Sequence, residues 1–245
     1  MRLIRVHVEE ALAAGARIAL RGSAAAHVRR VLRLEAGDAV TLFNGDGLDY
    51  PSRIGASHRE AVEVEVTGTS PARAESPLAI TLVQGIARTE RMDLVVQKAT
   101  ELGVAAIQPV ATVRSVVKLD ADSRARKTAH WRGIAVAACE QCGRARVPQI
   151  GEPMTLESWL AAPAAAGLRR LLLAAEAESS LIDAAKGAHA VELLVGPEGG
   201  LEERERSAAR NAGYRAGRLG PRILRSETAA LAALAVLQSS GGDLG

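Results

Sequence analysis

Aromatic side chains are scarce in this chain: two Trp, two Tyr and one Phe among 245 residues. So few rings give no material for a platform on which single-stranded bases stack one after another. Any nucleic acid bound here would be held by charge and shape. Cysteine is nearly absent, and the two present form one C-x-x-C, Cys139 and Cys142. A four-ligand zinc site needs a second pair of ligands, and no His follows closely. The pair falls where a helix is expected to end, before Gly143, so no helix dipole stabilises a thiolate there. Two small, mostly buried thiols are expected. His7, His27, His58, His130 and His189 show no metal-ligand spacing, so no metal is expected. Long hydrophobic runs are missing as well. Nothing approaches the roughly 18 residues of a membrane span, and Met1–His7 alternates like a strand instead of forming a signal-peptide core. A cytoplasmic protein without a membrane partner is the default.

Charge is nearly balanced in total, at +3, but uneven along the chain. Lys and Arg outnumber Asp and Glu 11 to 6 over residues 76–150, against 10 to 10 before and 10 to 12 after. That surplus includes Arg88, Arg114, Lys118, Arg124, Arg126, Lys127 and Arg144, and the first third holds clusters at Arg2/Arg5 and Arg29/Arg30/Arg33. Clustered Arg suits phosphate, through paired hydrogen bonds and counterion release. Solvated helix faces are the plainer alternative.

What is present in strength is glycine at two places near the C-terminal end. Val195-Gly196-Pro197-Glu198-Gly199-Gly200 and Leu219-Gly220-Pro221-Arg222-Ile223-Leu224-Arg225-Ser226-Glu227-Thr228 each follow a short strand-like run and lead into a helix. Such loops can line one crevice at the carboxyl ends of neighbouring strands. Neither is G-x-G-x-x-G in strand–helix context, and no G-x-x-x-x-G-K-[ST] occurs, which disfavours ordinary dinucleotide and P-loop cradles. Small residues with few charges suit a flat, mostly uncharged heterocycle approached by backbone groups.

Residues 1–72 read as a small β-rich domain. Val40–Phe43 alternates, Asn44-Gly45-Asp46-Gly47 turns, Val62–Val66 alternates again, and a short helix is expected over 23–32. Residues 70–77 read as a linker. Residues 73–245 then alternate strand and helix, the pattern of a parallel sheet flanked by helices. Strands are expected at 78–83, 106–110, 170–174, 191–195 and just before Leu219. Helices are expected at 91–102, 122–142 and, apolar nearly all round, 228–238, with Ser226 as N-cap.

The two loops, with Gln97-Lys98-Ala99-Thr100-Glu101-Leu102-Gly103-Val104 and Cys139-Glu140-Gln141-Cys142-Gly143-Arg144-Ala145-Arg146-Val147-Pro148, resemble the ribosomal RNA small subunit methyltransferase E family of the SPOUT superfamily. The resemblance runs nearly end to end. It implies a SPOUT-type α/β domain, a parallel sheet with a trefoil knot, preceded by a PUA-like β-barrel that docks on RNA. It implies a homodimer acting on ribosomal RNA or the small ribosomal subunit, and methyl transfer from S-adenosyl-L-methionine to N3 of a uridine. By similarity the cofactor lies among Leu172, Leu173, Gly196, Pro197, Glu198, Gly199, Leu219, Gly220, Leu224, Ser226 and Thr228. Candidates for the chemical step are Arg222, Glu227, Glu140 and Arg225: a carboxylate to take the N3 proton, or an Arg to face charge developing on the flanking carbonyls. Candidate RNA contacts are Arg2, Arg5, Arg29, Arg30, Arg33, Arg88, Arg114 and Arg144. A non-catalytic RNA-binding or ribosome-assembly factor, and an enzyme of the same fold acting on another RNA, remain open at this point.

Overall fold

The run Val62-Glu63-Val64-Glu65-Val66 sorts as a strand's two-residue period demands, with three valines buried and both glutamates in solvent. The computed structural model describes residues 4–72, 75–115 and 120–245, leaving out the side chain of Ser23. Tertiary contacts group the chain up to Glu75 with Val136–Val147 as one unit, and Ser76–Ala135 with Pro148–Gly245 as a second.

In the first unit β1 (Arg5–His7), β2 (Arg17–Arg21), α1 (Gly22–Ala26), β3 (Ala39–Phe43), β4 (Leu48–Ser57), β5 (Ala61–Val66) and β6 (Ser70–Pro71) follow in order. The helix expected over 23–32 begins as α1 and continues as a wider π-type turn, His27–Leu32. The sheet runs β1-β3-β4-β5-β2, with β6 on β4, and is antiparallel except for β1 beside β3. β1 and β2, the ends of this path, are not paired with each other among the described residues. The Asn44–Gly47 turn is made by side chains: Asn44 accepts from the Asp46 amide and Asp46 from the Leu48 amide, while the Tyr50 hydroxyl donates to Asp46. Val28, Leu42, Tyr50, Ile54, Val62 and Val64 fill the core.

The second unit contains β7 (Ala79–Gly85), α2 (Thr89–Glu101), β8 (Ala106–Ala111), α3 (Ala121–Cys142), β9 (Gln149–Ile150), β10 (Met154–Thr155), α4 (Leu156–Leu160), β11 (Arg169–Leu173), α5 (Leu181–Ala185), β12 (Ala190–Val195), α6 (Glu203–Asn211), β13 (Arg215–Gly217) and α7 (Ser226–Gly241). The last two turns of α3 count with the first unit. All pairings are parallel, in the order β10-β8-β7-β12-β11-β13 with β9 on β8. β12 is buried from Val191 to Val195 because it lies inside a sheet covered on both faces. On α2, Met92, Val95, Val96 and Ala99 form the buried stripe its spacing predicts. α7 buries Ala230, Ala233, Leu234 and Leu237 and packs on α2 and α5.

Candidate active site

β7, β12, β11 and β13 are successive parallel neighbours, so their carboxyl ends share one edge. Loops leaving β11, β12 and β13 line a cavity of about 350 Å³, within the range of small-ligand pockets. Leu172 and Leu173 form one wall with Ala174–Glu176. Gly196, Pro197, Glu198 and Gly199 form a second, and Leu219, Gly220, Arg222 and Leu224 a third, closed by Ser226 and Ala229 of α7. The crevice foreseen from the two loops is therefore real, and the cofactor candidates meet there with one exception. Thr228 is exposed and outside the lining, because it points off the solvent side of α7. Glu176, Arg206 and Ile223 line the cavity and were not foreseen.

Two glycines make this convergence possible. A Cβ on Gly85, at the end of β7, would lie 2.5 Å from both Cδ and N of Pro197. Only a residue without a side chain lets the loop after β12 pass so close. Gly220 turns the third loop with φ +64°, a left-handed angle that other residues adopt at a cost.

A hydroxyl then ties two walls together. Ser226 Oγ donates to the Gly196 carbonyl at 2.6 Å and accepts from Gln84 Nε2 at 3.1 Å. Ser226 is therefore not the N-cap expected from its position; Arg225 occupies that position without a capping side-chain hydrogen bond, and the serine hydroxyl serves the loop. Gln84 is fully buried at the end of β7, and the same Nε2 also reaches the Gly85 carbonyl.

The charged groups divide by task. Glu198 accepts from the Arg88 amide at 3.1 Å, and Arg91 Nη1 lies 3.3 Å from it. Arg91 also faces Glu227, 3.8 Å away, so Glu227 is turned to α2 and is not part of the cavity lining. Arg206 is held by Glu203 at 2.8 Å and lies 3.8 Å from Glu176. Hydrogen bonds from Arg210 and Arg206 pull the Glu203 carboxyl down to about 2, so it stays ionised. Of the four candidates for the chemical step, Arg222 alone lines the cavity; Arg225 is exposed beside it. Glu140 belongs to the first unit, where it accepts from the His7 amide at 3.0 Å.

The arginines proposed to meet RNA also separate. Arg2 and Lys118 lie outside the described residues. Arg5 is 4 % exposed, paired with Asp49 at 2.6 Å and donating to the Arg144 carbonyl. It is a structural cation, and so is Arg144, bound to Glu75 at 2.5 Å. Arg114 straps the second loop, donating to the Gly199 carbonyl at 2.6 Å. Arg29 donates to the carbonyls of His58 and Arg59. Arg30, Arg33 and Arg88 are exposed.

Beneath the crevice lies a buried polar network that the sequence reading missed. Arg170 of β11 stands in register with Glu192 of β12, Nε to Oε1 3.1 Å. The Tyr214 hydroxyl donates to Glu192 and accepts from Trp159 Nε1. Burial, and then the charge of Glu192, pushes the Tyr214 phenol well above its usual range, so it remains a donor. An acid inside Val191-Glu192-Leu193-Leu194-Val195 was the available signal, since buried charges come paired. Cys139 is buried and its thiol is pushed up to about 12 by that burial; Cys142 is half-buried. Among the described residues no cluster of three metal-ligating side chains occurs, and no helix is long and apolar enough to cross a membrane.

Residues 74–238 match the model of an RNA methyltransferase domain, and residues 20–67 that of an RNA methyltransferase PUA domain. A ribosomal RNA small subunit methyltransferase E from Buchnera aphidicola is 30 % identical, covering 99 % of this chain and 98 % of the relative. Its Bacillus subtilis namesake is 28 % identical over 97 % of this chain and 94 % of its own length. A methyltransferase from Legionella pneumophila, solved with bound S-adenosylmethionine, superposes with TM-score 0.94 at 39 % identity over the whole of both chains. A ribosomal RNA small subunit methyltransferase E from Neisseria gonorrhoeae, bound to the same cofactor, gives 0.92 at 36 % identity over 99 % of this chain and all of its own.

Proposed function

Because this chain belongs to the ribosomal RNA small subunit methyltransferase E family, we propose that it methylates N3 of a uridine in small-subunit ribosomal RNA, with S-adenosylmethionine as donor. The observation that carries this reading is the three-walled crevice, intact in a chain that aligns end to end with two cofactor-bound structures.

The residues present fit that cofactor. Leu172, Leu219 and Leu224 offer apolar walls, Gly196 and Gly199 offer backbone groups at close range, and no Lys lines the cavity. The one inward cation of α6, Arg206, is already held by Glu203 and faces Glu176. When bound, the cofactor supplies an electrophilic methyl carbon on a cationic sulfur, which keeps the C–S bonding pair as a neutral thioether. This chain's own work is to hold the reacting atoms close and aligned, and to stabilise the uracil as its N3 proton departs. Arg222 is placed to face the negative charge that then grows on the flanking carbonyl oxygens. Both carboxylates of the lining are engaged, Glu198 by Arg91 and the Arg88 amide, Glu176 by Arg206. The proton therefore passes to solvent at the open mouth, and the freed N3 lone pair forms the new N–C bond.

We extend the proposal to a knotted, homodimeric enzyme of the cytoplasm, a reading that family membership supports. A second copy is also supported by Leu231, Ala232, Ala235 and Val236, which leave one side of α7 half-covered. The function is tested by incubating the protein with radiolabelled cofactor and small subunits lacking the modification, then mapping reverse-transcription stops. A methyl on N3 blocks pairing, so one strong stop at a uridine is expected. Label without a stop, or a stop in another RNA class, would refute the assignment.

A further inference from the structure

Ile223 is 92 % exposed, the largest exposure of any big apolar side chain among the described residues. It stands on the third loop at the mouth of the cavity, while its neighbour Leu224 turns inward. Being β-branched, it is stiff at χ1 and projects as a short rigid peg. Along this segment of chain the charge is one-sided. Arg215, Arg218, Arg222 and Arg225 are all exposed, no Asp or Glu occurs between Arg215 and Ser226, and none of these guanidinium groups is paired with a carboxylate among the described residues. Arg204, Arg206 and Arg210 on nearby α6, by contrast, each have a glutamate partner. An exposed apolar peg on a loop that carries exposed arginines on both sides of it in sequence suits a polyanion with an apolar interior.

We propose that Ile223 is a wedge that enters the RNA base stack beside the target uridine and holds that uridine outward, while Arg215, Arg218 and Arg225 grip the adjoining phosphates. This rests on the methylation reading above and adds how the base is delivered. N3 lies on the pairing edge, so a stacked or paired uridine must leave the helix before its nitrogen can reach a methyl donor. Apolar wedges stabilise such opened steps by occupying the vacated space. With so few aromatic residues in the chain, an aliphatic side chain takes the place a ring would otherwise fill.

The test uses the wild-type stop to choose two RNAs of one sequence, a hairpin with the uridine in its stem and an unpaired strand. For Ile223→Ala the ratio of kcat/KM on hairpin to kcat/KM on strand should fall about ten-fold, and Ile223→Leu should restore most of it. With 2-aminopurine beside the uridine, wild type should brighten the hairpin on binding and Ile223→Ala should not. Cofactor affinity, measured by calorimetry, accompanies each variant. An unchanged ratio, with both substrates losing equally, would make Ile223 part of the cofactor wall and overturn the wedge. A change of oligomeric state in Ile223→Asp, read by sedimentation, would place it between copies and do the same. Absence of any wild-type stop refutes the methylation reading instead; small-subunit RNA hairpins carrying 2-aminopurine beside each stem uridine then decide the wedge by themselves, since wild type should brighten one of them and Ile223→Ala none.

Discussion

Arg222 differs from the other three candidates for the chemical step in what it touches. Glu227 faces Arg91, Glu140 is occupied by the His7 amide, and Arg225 stands just before α7 with its side chain in solvent. Arg222 lines the cavity and has no hydrogen-bond or ion-pair partner among the described residues, which leaves its guanidinium open to a ligand. Replacing it with Ala should lower kcat by about 10²–10³, the size expected when one aimed donor is lost. Cofactor affinity should stay within about two-fold, because the cavity walls are formed by other residues. Single-turnover methylation beside calorimetry separates the two; equal loss in both would make Arg222 a binding residue. The C-x-x-C shows the converse. Cys139 fills space beside Phe43 and Ala145, and with its thiol pushed up to about 12 it supplies no nucleophile at neutral pH.

Strand β7 and helix α7 are distant in sequence yet cooperate through one hydroxyl. Ser226→Ala removes the donor to the Gly196 carbonyl and leaves Gln84 Nε2 short of a buried acceptor, a cost of about 1–3 kcal/mol. Much of that should appear as weaker cofactor binding, about ten-fold, since the loop holding Gly196 loses its anchor. Ser226→Thr, which keeps the hydroxyl, should recover part of it. Calorimetry with a thermal melt tests this: a lowered melting temperature with unchanged cofactor affinity would mean the tie serves only the fold. Elements of this kind mark what could be read beforehand. Helices α2, α3 and α7 and strands β8, β11 and β12 were legible because period and length agree with burial. β4 was missed, since Tyr50, Ser52 and Ile54 alternate around a Pro and a Gly that read as loop. The role of Ser226 was hidden because serine before a helix ordinarily caps it, and nothing local discloses a partner such as Gln84, 142 positions away. The loop after β11 was legible only to Leu173, because Ala174-Ala175-Glu176 contains none of the glycine that marked its two companions.

At the level of the whole molecule the basic surplus was read correctly as a total and only partly as a surface. Counting arginines in sequence treats Arg5 and Arg30 alike, but Arg5 is spent against Asp49 inside the first unit while Arg30 stands in solvent. Conversely, residues 151–245 carry a net negative count and still expose four arginines from Arg215 to Arg225 that have no carboxylate partner among the described residues. Some acids of that stretch are engaged elsewhere, Glu192 by Arg170 and Glu203 by Arg206 and Arg210. RNA affinity should therefore fall steeply as salt rises, each phosphate contact contributing about 0.7–0.9 to the slope of log K against log salt. Replacing Arg218 and Arg225 together with Ala should reduce that slope by about one to two. Arg5→Ala should leave the slope unchanged while lowering the melting temperature, because it strands the Asp49 carboxylate. Filter binding of small-subunit RNA from 50 to 300 mM salt, with melting curves on each variant, makes the comparison; a slope that responds to Arg5 and not to the loop arginines would show that phosphate is met by the opposite set.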